Sequence, residues 1–303
     1  MKNGAGAALG FLFYKAFTLV LAILPRPAVL ILGAGLGRLA FRLDGRHRRI
    51  AEANLALAFG GERTAAERTA LARRSFMALG RTLLDILKAA HMSRARVLGL
   101  FEIEGRAHME RALAAGKGVL LFTGHFGNWE LTIPALTSIA PLRAIHRELD
   151  NPRIERDLHR LREKLGAGTI SKFGAAKPVL QALGRNEIVA ILIDLNVLHS
   201  SGPVFVDFFG RPAATTPALA AFHLKTGAPI VPMFCRPLPG GRYRMTFHEP
   251  LVFQGSGDQE ADVLKITRTC TKMIERQIRR RPELWFWVHK RWNTRPAGEK
   301  PIS

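Results

Sequence analysis

The chain is short of acid and of cysteine. Its 303 residues hold 24 Asp and Glu against 45 Lys and Arg, a formal net charge of +21. Such an imbalance favours polyanionic partners, whether nucleic acid, anionic lipid or an acidic protein, and does not choose among them. The two cysteines, Cys235 and Cys270, have no CxxC or Cys/His spacing around them. That excludes a disulfide framework and argues against structural zinc, so both read as core thiols in a reducing compartment. There is no GxSxG, which disfavours a nucleophile-elbow hydrolase. Gly116-Lys117 is followed by glycine and is no P-loop; GAGLG at 33–37 runs into the basic segment RLAFRLDGR and is no dinucleotide fingerprint; HExxH is absent. No cofactor and no metal is therefore expected. RNP-type aromatic motifs and zinc fingers are missing too, which weakens a nucleic-acid reading of the charge. Neither internal repeats nor low-complexity linkers occur.

What is present is a folding composition, 48% hydrophobic and 23% charged. Residues 11–24, FLFYKAFTLVLAIL, are apolar on nearly every side and are followed by PRP. Lys15 interrupts them, and a lysine at the centre of a spanning helix costs roughly 3 kcal/mol. The favoured reading is an anchor lying in one leaflet, with Lys15 reaching the headgroups. A single span and an apolar helical subdomain packed on the rest of the chain stand as alternatives. AILPRP lacks the small-residue pattern of a cleaved signal peptide. Residues 1–50 carry eight basic residues, Lys2, Lys15, Arg26, Arg38, Arg42, Arg46, Arg48 and Arg49, against one acid, Asp44. This belt suits an anionic cytoplasmic leaflet.

Residues 47–98 show helical apolar spacing, with GGERT as a turn and Thr64 as a cap. From about residue 100, strands and helices alternate. GVLLF, RAIHR, EIVAILID, APIVPMFCRP and RYRMTFHEP read as strands; segments after Asn128, from Pro152 to Lys164, at KPVLQALGRN and at TPALAAFHLKTG read as helices. A last helix near Glu260 to Arg281 carries Val263, Ile266, Cys270, Met273, Ile274 and Ile278 on one face. The expected fold is α/β: a mostly parallel central sheet flanked by helices, with an N-terminal helical, membrane-associated segment. Residues 1–98 form the anchoring and helical region. Residues 99–303 form the α/β domain, with a C-terminal amphipathic helix and a basic-aromatic end.

TGHFGNWEL, residues 123–131, follows the buried run GVLLF. Open α/β sheets place their sites at the carboxyl ends of strands, which is where His125 falls. Glu130 has two readings. It can be an acid in the first turn of a helix capped by Asn128, favoured by the helix dipole. It can also accept the proton on one ring nitrogen of His125, leaving the other nitrogen as a base. His125 alone can equally be a loop histidine bonded to backbone. Gly124 and Gly127 permit close approach. With no serine or cysteine beside it, such a pair would activate a substrate hydroxyl and form no acyl-enzyme.

GHFGNWE resembles the HX4(D/E) motif of the glycerolipid acyltransferase superfamily and, more narrowly, that of the late acyltransferases of lipid A biosynthesis, the lauroyl/myristoyl group. Four more segments resemble that group: RRIAEANLALAF; IHRELDNP, with His146 where tyrosine is common; SGPVFVDFFGRPAATTPALAAFHLKTGAPIVP; and RPELWFWVHKRWNTRP, with Asn293 where lysine is usual. The resemblance implies that His125 is the base and that Glu130 orients it. It places Arg147 in the "YR" block, Arg162 ten residues past Asn151-Pro152 and Asp194 at a strand end. Arg162 or Arg147 would bind phosphate or steady an oxyanion, and Asp194 would order those arginines or a bound hydroxyl. Arg162 also reads as one charge on a solvated helix, and Asp194 as a plain cap. Lys290 and Arg291, among Trp285, Trp287 and Trp292, read as phosphate ligands or as an interfacial belt.

The same resemblance implies an acyl thioester donor, on acyl carrier protein or as acyl-CoA, and a hydroxyl acceptor on a phosphorylated glucosamine lipid of the Kdo2-lipid IVA type. The protein is expected on the cytoplasmic side of the inner membrane, held by its N-terminal segment and by the anionic surface, with no nucleic acid as partner. Other acceptors remain open: a phosphoinositide mannoside, an ornithine lipid or a polyene head group. A basic membrane- or nucleic-acid-binding protein without turnover is the reading from another class.

Overall fold

The computed structural model describes residues 4–299, with side chains from residue 14. Lys2, counted in the basic belt, lies outside them. Five helices come first: α1 (Gly4–Ile23), α2 (Arg26–Leu43), α3 (Gly45–Phe59), α4 (Ala65–Ala89) and α5 (Arg94–Leu98). Pro25 ends α1 and Pro27 sits in the first turn of α2, where its missing N–H costs nothing. Thr64 and Glu67 close a reciprocal capping box at the start of α4.

An α/β unit follows: β1 (Phe101–Glu104), α6 (Arg106–Ala114), β2 (Val119–Thr123), a 3-10 turn (Glu130–Thr132) leading into α7 (Ile133–Thr137), β3 (Leu142–His146), α8 (Pro152–Leu165), β4 (Ala167–Ser171), α9 (Ala176–Gly184) and β5 (Ile188–Leu192). Then come β6 (Val204–Phe208), β7 (Arg211–Thr215), α10 (Ala218–Thr226), β8 (Ile230–Pro237), β9 (Tyr243–Phe247) and α11 (Gln259–Arg280). Seven strands form one sheet in the order β1-β9-β8-β2-β5-β3-β4. All neighbours are parallel except β8 and β9. Every residue of β2 is buried, which explains its unbroken apolar run: a central parallel strand is covered on both faces.

One face packs Leu120, Phe122, Val189 and Ile191 against α3, α4, α10 and α11, through Leu55, Phe76, Leu219 and Ile274 among others. The other packs Leu121, Ala190, Leu142 and Met245 against α6, α7 and α8, through Met109, Leu136 and Leu161. The apolar stripe expected on the last helix therefore faces the core. Cys235 and Cys270 are buried and unpaired, and burial pushes each thiol up to about 12.

The sequence reading missed the separate β6–β7 hairpin and β4. The hairpin turns through Phe209 (φ 56°) and Gly210 (φ 74°), a two-residue loop with both φ positive. The left-handed Phe209 is held by its neighbours: its N–H donates to Glu275 at 2.9 Å, and its ring lies 5.2 Å from that of Phe59.

The N-terminus differs from expectation at Lys15. Its Nζ lies 2.7 Å from Asp157 Oδ2 on α8, so it ties α1 to the α/β unit and is not aimed at headgroups. No helix among the described residues is long and apolar enough to cross a membrane. The glycines of α2 also acquire a purpose. A Cβ on Gly37 would lie 2.1 Å from the Phe76 carbonyl oxygen, and one on Gly80 of α4 would lie 2.1 Å from that of Gly33. The backbones of α2 and α4 touch there, and only glycine permits it. Gly37→Val is expected to force the helices apart, at a cost of about 3 kcal/mol or more. Thermal unfolding should show a Tm lowered by several degrees, whereas Gly35→Ala, with open space at its Cβ, should leave it nearly unchanged.

Candidate active site

The site is set by strand register. β2 and β5 are parallel neighbours with Thr123 opposite Leu192. His125 and Asp194 each lie two residues beyond that pair, so the two chains leave the sheet side by side. His125 Nδ1 is 2.9 Å from Asp194 Oδ1, and the His125 backbone N–H donates to Asp194 Oδ2 at 2.7 Å. Trp285 Nε1 donates to the same Oδ2 at 2.7 Å. Gly124 makes room for this: a Cβ there would lie 2.9 Å from Oδ2.

Asp194 is 2% exposed. Burial by itself would raise its pKa, but the charge of His125 and the donors from His125 and Trp285 outweigh that. They hold it below the ordinary carboxylate range. Asp194 is thus an acceptor fixed on Nδ1, which leaves Nε2 as the free ring nitrogen. The His125 ring is flanked by Trp129, at 5.0 Å between centroids, and Phe286, at 5.9 Å.

Glu130 therefore does not do what the spacing suggested. Its carboxylate takes a bidentate fork from Arg162, Nε to Oε1 at 2.6 Å and Nη2 to Oε2 at 3.1 Å, and no hydrogen bond joins it to His125. The reason is direction. The 3-10 turn that starts at Glu130 turns the carboxylate toward α8, while the imidazole faces β5. Of the helix-start reading, Glu130 does open the 3-10 turn, but the capping position is Trp129, not Asn128, whose side chain accepts the Leu131 N–H at 3.4 Å.

Arg162 is not a solvated charge. It is 9% exposed; burial alone would lower its pKa, but the Glu130 hydrogen bond raises it, so it stays cationic. Its Nη1 is buried without a protein partner. Asp194 serves the histidine, neither capping a helix nor ordering an arginine.

The other expected site residues separate. Arg147 is exposed at the rim, 3.4 Å from Asp150. Lys290 is exposed and Arg291 is fully buried. Arg291 donates to the carbonyls of Leu195 and Ala214 and to Thr215 Oγ1, and burial brings it down to about 10. Both readings of Arg291, phosphate ligand and interfacial belt, are overturned: it stitches the strand ends behind Asp194. Trp285, Trp287 and Trp292 are buried as well and form no belt. The sequence reading passed over His289, next to them. Its Nε2 accepts the Asn196 N–H at 2.9 Å. Burial, then the nearby charges of Arg291 and His125, push it down to about 4, so it is neutral.

His125, Glu130, Arg162, Arg147 and His289 all line one cavity of about 1340 Å³. That is larger than the ~300–1,000 Å³ of a site for a drug-sized ligand. Its lining reaches both faces of the sheet. Leu121, Ala190, Leu142 and Met233 belong to one core, with Ala144 beside Ala190 in register; Ile191 and Ile193 belong to the other, with Ile145, Ala175 and Phe222. The imidazole sits where the strands end, and apolar residues of both cores line the same cavity. Among the described residues, no group of three or more His, Cys, Asp or Glu converges as metal ligands would.

The loop itself has one fixed requirement. Gly127 has φ 63°, and a Cβ there would lie 2.0 Å from the Cys235 carbonyl oxygen. Gly127→Ala is expected to lower Tm by several degrees and to displace the loop. Gly116→Ala, left-handed at φ 69° but in open space, isolates the conformational cost of about 1 kcal/mol and should lower Tm less.

The bacterial lipid A biosynthesis acyltransferase profile matches residues 7–294. The chain is 30% identical to the lipid A biosynthesis lauroyltransferase of Escherichia coli strain K12 over 91% of its own length and 88% of the relative's. It is 28% identical to the lipid A biosynthesis myristoyltransferase of the same strain, covering 88% and 81%. It is also 25% identical to a phosphatidylinositol mannoside acyltransferase of Mycolicibacterium smegmatis, over 73% of its length and 72% of that protein's. The chain thus belongs to the bacterial lipid A biosynthesis acyltransferase family.

Proposed function

We propose that the protein moves a fatty acyl chain from an acyl carrier protein thioester to a hydroxyl of a phosphorylated glucosamine lipid, a lipid A precursor of the Kdo2-lipid IVA type. The observation that carries this reading is the His125–Asp194 pair in a large cavity lined mostly by apolar side chains. The cavity takes the donor's acyl chain and a chain of the acceptor, which brings thioester and hydroxyl together at the ring. His125 Nε2 removes the hydroxyl proton as the oxygen attacks the thioester carbonyl. Asp194, on Nδ1, fixes the tautomer and stabilises the imidazolium. Arg162, locked by Glu130 and with Nη1 unpaired, is the donor for the oxyanion or for a substrate phosphate. The imidazolium then protonates the departing thiol. The chemistry needs both substrates bound at once, because no side chain stores the acyl group.

The same reading places the protein on an anionic membrane surface on the cytoplasmic side. Leu19, Val20, Ile23, Ile31, Leu39, Leu43 and Leu83 on α1, α2 and α4 are exposed, Ile23 at 86% and Leu43 at 75%. Arg38, Arg42, Arg46 and Arg49 accompany them on α2 and α3. Apolar side chains fringed with arginine suit a headgroup boundary.

Product mass after incubation with acyl carrier protein thioesters and Kdo2-lipid IVA tests the transfer, with a phosphatidylinositol mannoside as the competing acceptor. His125→Ala is expected to lower kcat by about a thousandfold or more, and Asp194→Asn by about a hundredfold or more, with Tm retained. Glu130→Gln keeps the acceptor oxygen but weakens the hold on Arg162, so it should cost less than Asp194→Asn. The opposite order would remove Asp194 from its role.

Vesicle flotation tests the membrane reading. The double variant Ile23→Glu and Leu43→Glu should release the protein from vesicles containing phosphatidylglycerol. Equal flotation of variant and native protein would refute that surface.

A further inference from the structure

Beneath the loop that carries His125 lies a buried polar assembly that the reaction chemistry does not touch. Asp85, on the inner side of α4, is 0% exposed. Arg26, in the first turn of α2, grips it with a bidentate fork, Nε to Oδ1 and Nη2 to Oδ2, both at 2.7 Å. The Tyr243 hydroxyl, at the start of β9, donates to Oδ2 at 2.6 Å. Asn128, three residues after His125 and fully buried, donates from Nδ2 to the Tyr243 oxygen at 3.0 Å and to Asp85 Oδ2 at 3.4 Å. Arg26 Nη1 also donates to the carbonyl of Gly241, in the β8–β9 turn. One helix turn earlier on α4, Thr82 Oγ1 donates to the carbonyl of Gly127 at 3.3 Å. Two helices, a strand and the loop thus converge on a single carboxylate.

Stability alone is a weak reason for such an arrangement. A buried ion pair is often no better than apolar residues of the same volume, because desolvation cancels its attraction. Directional bonds do supply one thing apolar contacts lack: a unique position for each partner. Here that partner is the loop. Burial, and then the Asp85 carboxylate beside it, hold the Tyr243 phenol far above its ordinary value, so it acts only as a donor toward Asp85. The Asn128 amide then has its NH2 on Tyr243 and Asp85 and its oxygen on the Leu131 N–H. The amide can satisfy these bonds in one orientation only. The other end of the loop is fixed by the His125 N–H on Asp194 and by the Gly127 N–H on the Leu284 carbonyl at 3.0 Å.

We propose that Asp85, Tyr243, Arg26 and Asn128 are positioning residues for the reaction: they set the backbone between His125 and Glu130, and through it the imidazole and the Arg162 fork. The proposal rests on the reading of His125 as the base. A misplacement of about 1 Å in a catalytic group can cost a hundredfold in rate, so a hydrogen bond remote from the chemistry acts on kcat while substrate binding in the apolar cavity is spared. The assembly also joins the first turn of α2, a helix with exposed apolar residues, to the catalytic loop.

Tyr243→Phe removes one hydroxyl and keeps the ring. Asn128→Leu removes the amide at similar volume. Each is measured by kcat and KM for the acyl thioester, by Tm, and by the nitrogen-15 histidine spectrum of the substrate-free protein, in which the His125 Nδ1–H bonded to Asp194 is assigned by its loss in His125→Ala. Tyr243→Phe is expected to lower kcat about tenfold, the worth of one buried hydrogen bond, with KM within about twofold. Asn128→Leu should lower kcat further. In both, the His125 Nδ1–H signal should shift or broaden while Tm moves by only a few degrees. An unchanged signal with unchanged kcat would overturn the proposal, and so would a fall in activity that follows Tm with the signal unchanged. Failure of the base assignment is seen separately: His125→Ala would then retain transfer, while the spectrum still reports whether the assembly orders the ring.

Discussion

One hydrogen bond organises this molecule, that between the His125 ring and the buried carboxylate of Asp194. A buried carboxylate without partners would be neutral or destabilising. Asp194 is kept charged by two donors from His125 and one from Trp285, and so it demands the surroundings it has. β2 and β5 must be parallel neighbours in this register. Residue 124 must lack a side chain. The C-terminal WFW segment must fold back over the sheet to deliver the Trp285 N–H, which it does by pairing Phe126 with Trp285 in an isolated bridge. Arg291, fully buried behind it, satisfies the carbonyls that the strand ends leave exposed.

A second ion pair, Glu130–Arg162, lines the same cavity and differs from the first in kind. The first pair can exchange a proton, since one partner is a histidine. The second cannot, since an arginine holds its proton under all ordinary conditions. What it offers is a fixed positive charge with one N–H direction still open. An acid placed five residues after a histidine is thus not its partner here. It is the clamp for a cation that lines the same cavity.

The N-terminal helices tie these parts together. α1 reaches α8 through Lys15 and Asp157; α2 lies against α4 by backbone contact at Gly33, Gly37 and Gly80; and α4 underlies the loop that carries His125 with Thr82 and Asp85. Apolar side chains are left on the outside of the same helices, while the cavity mouth collects basic residues, among them Arg147, Arg160, Lys164 and Lys172. The excess of positive charge that first marked the sequence is therefore distributed, part around a greasy surface and part around the entrance to the site.

Much of this could be read from the chain itself, because it depends on neighbours in sequence. Apolar runs alternating with helical segments named most of the strands, helical spacing named most of the helices, and the Thr64 cap followed from local context. The position of His125 at the carboxyl end of a buried strand followed from GVLLF alone. The β6–β7 hairpin escaped because its turn is Phe-Gly, with a phenylalanine held left-handed by distant partners. The pairing of His125 with Asp194 escaped because 69 residues separate them and nothing in either segment encodes which strands lie side by side. Local sequence fixes dihedral preferences and which face is apolar. Strand order, register and the direction in which a side chain leaves a loop are decided by packing over the whole chain, and those decisions gave the histidine its carboxylate, gave Glu130 its arginine, and buried Arg291 where a surface ligand had been expected.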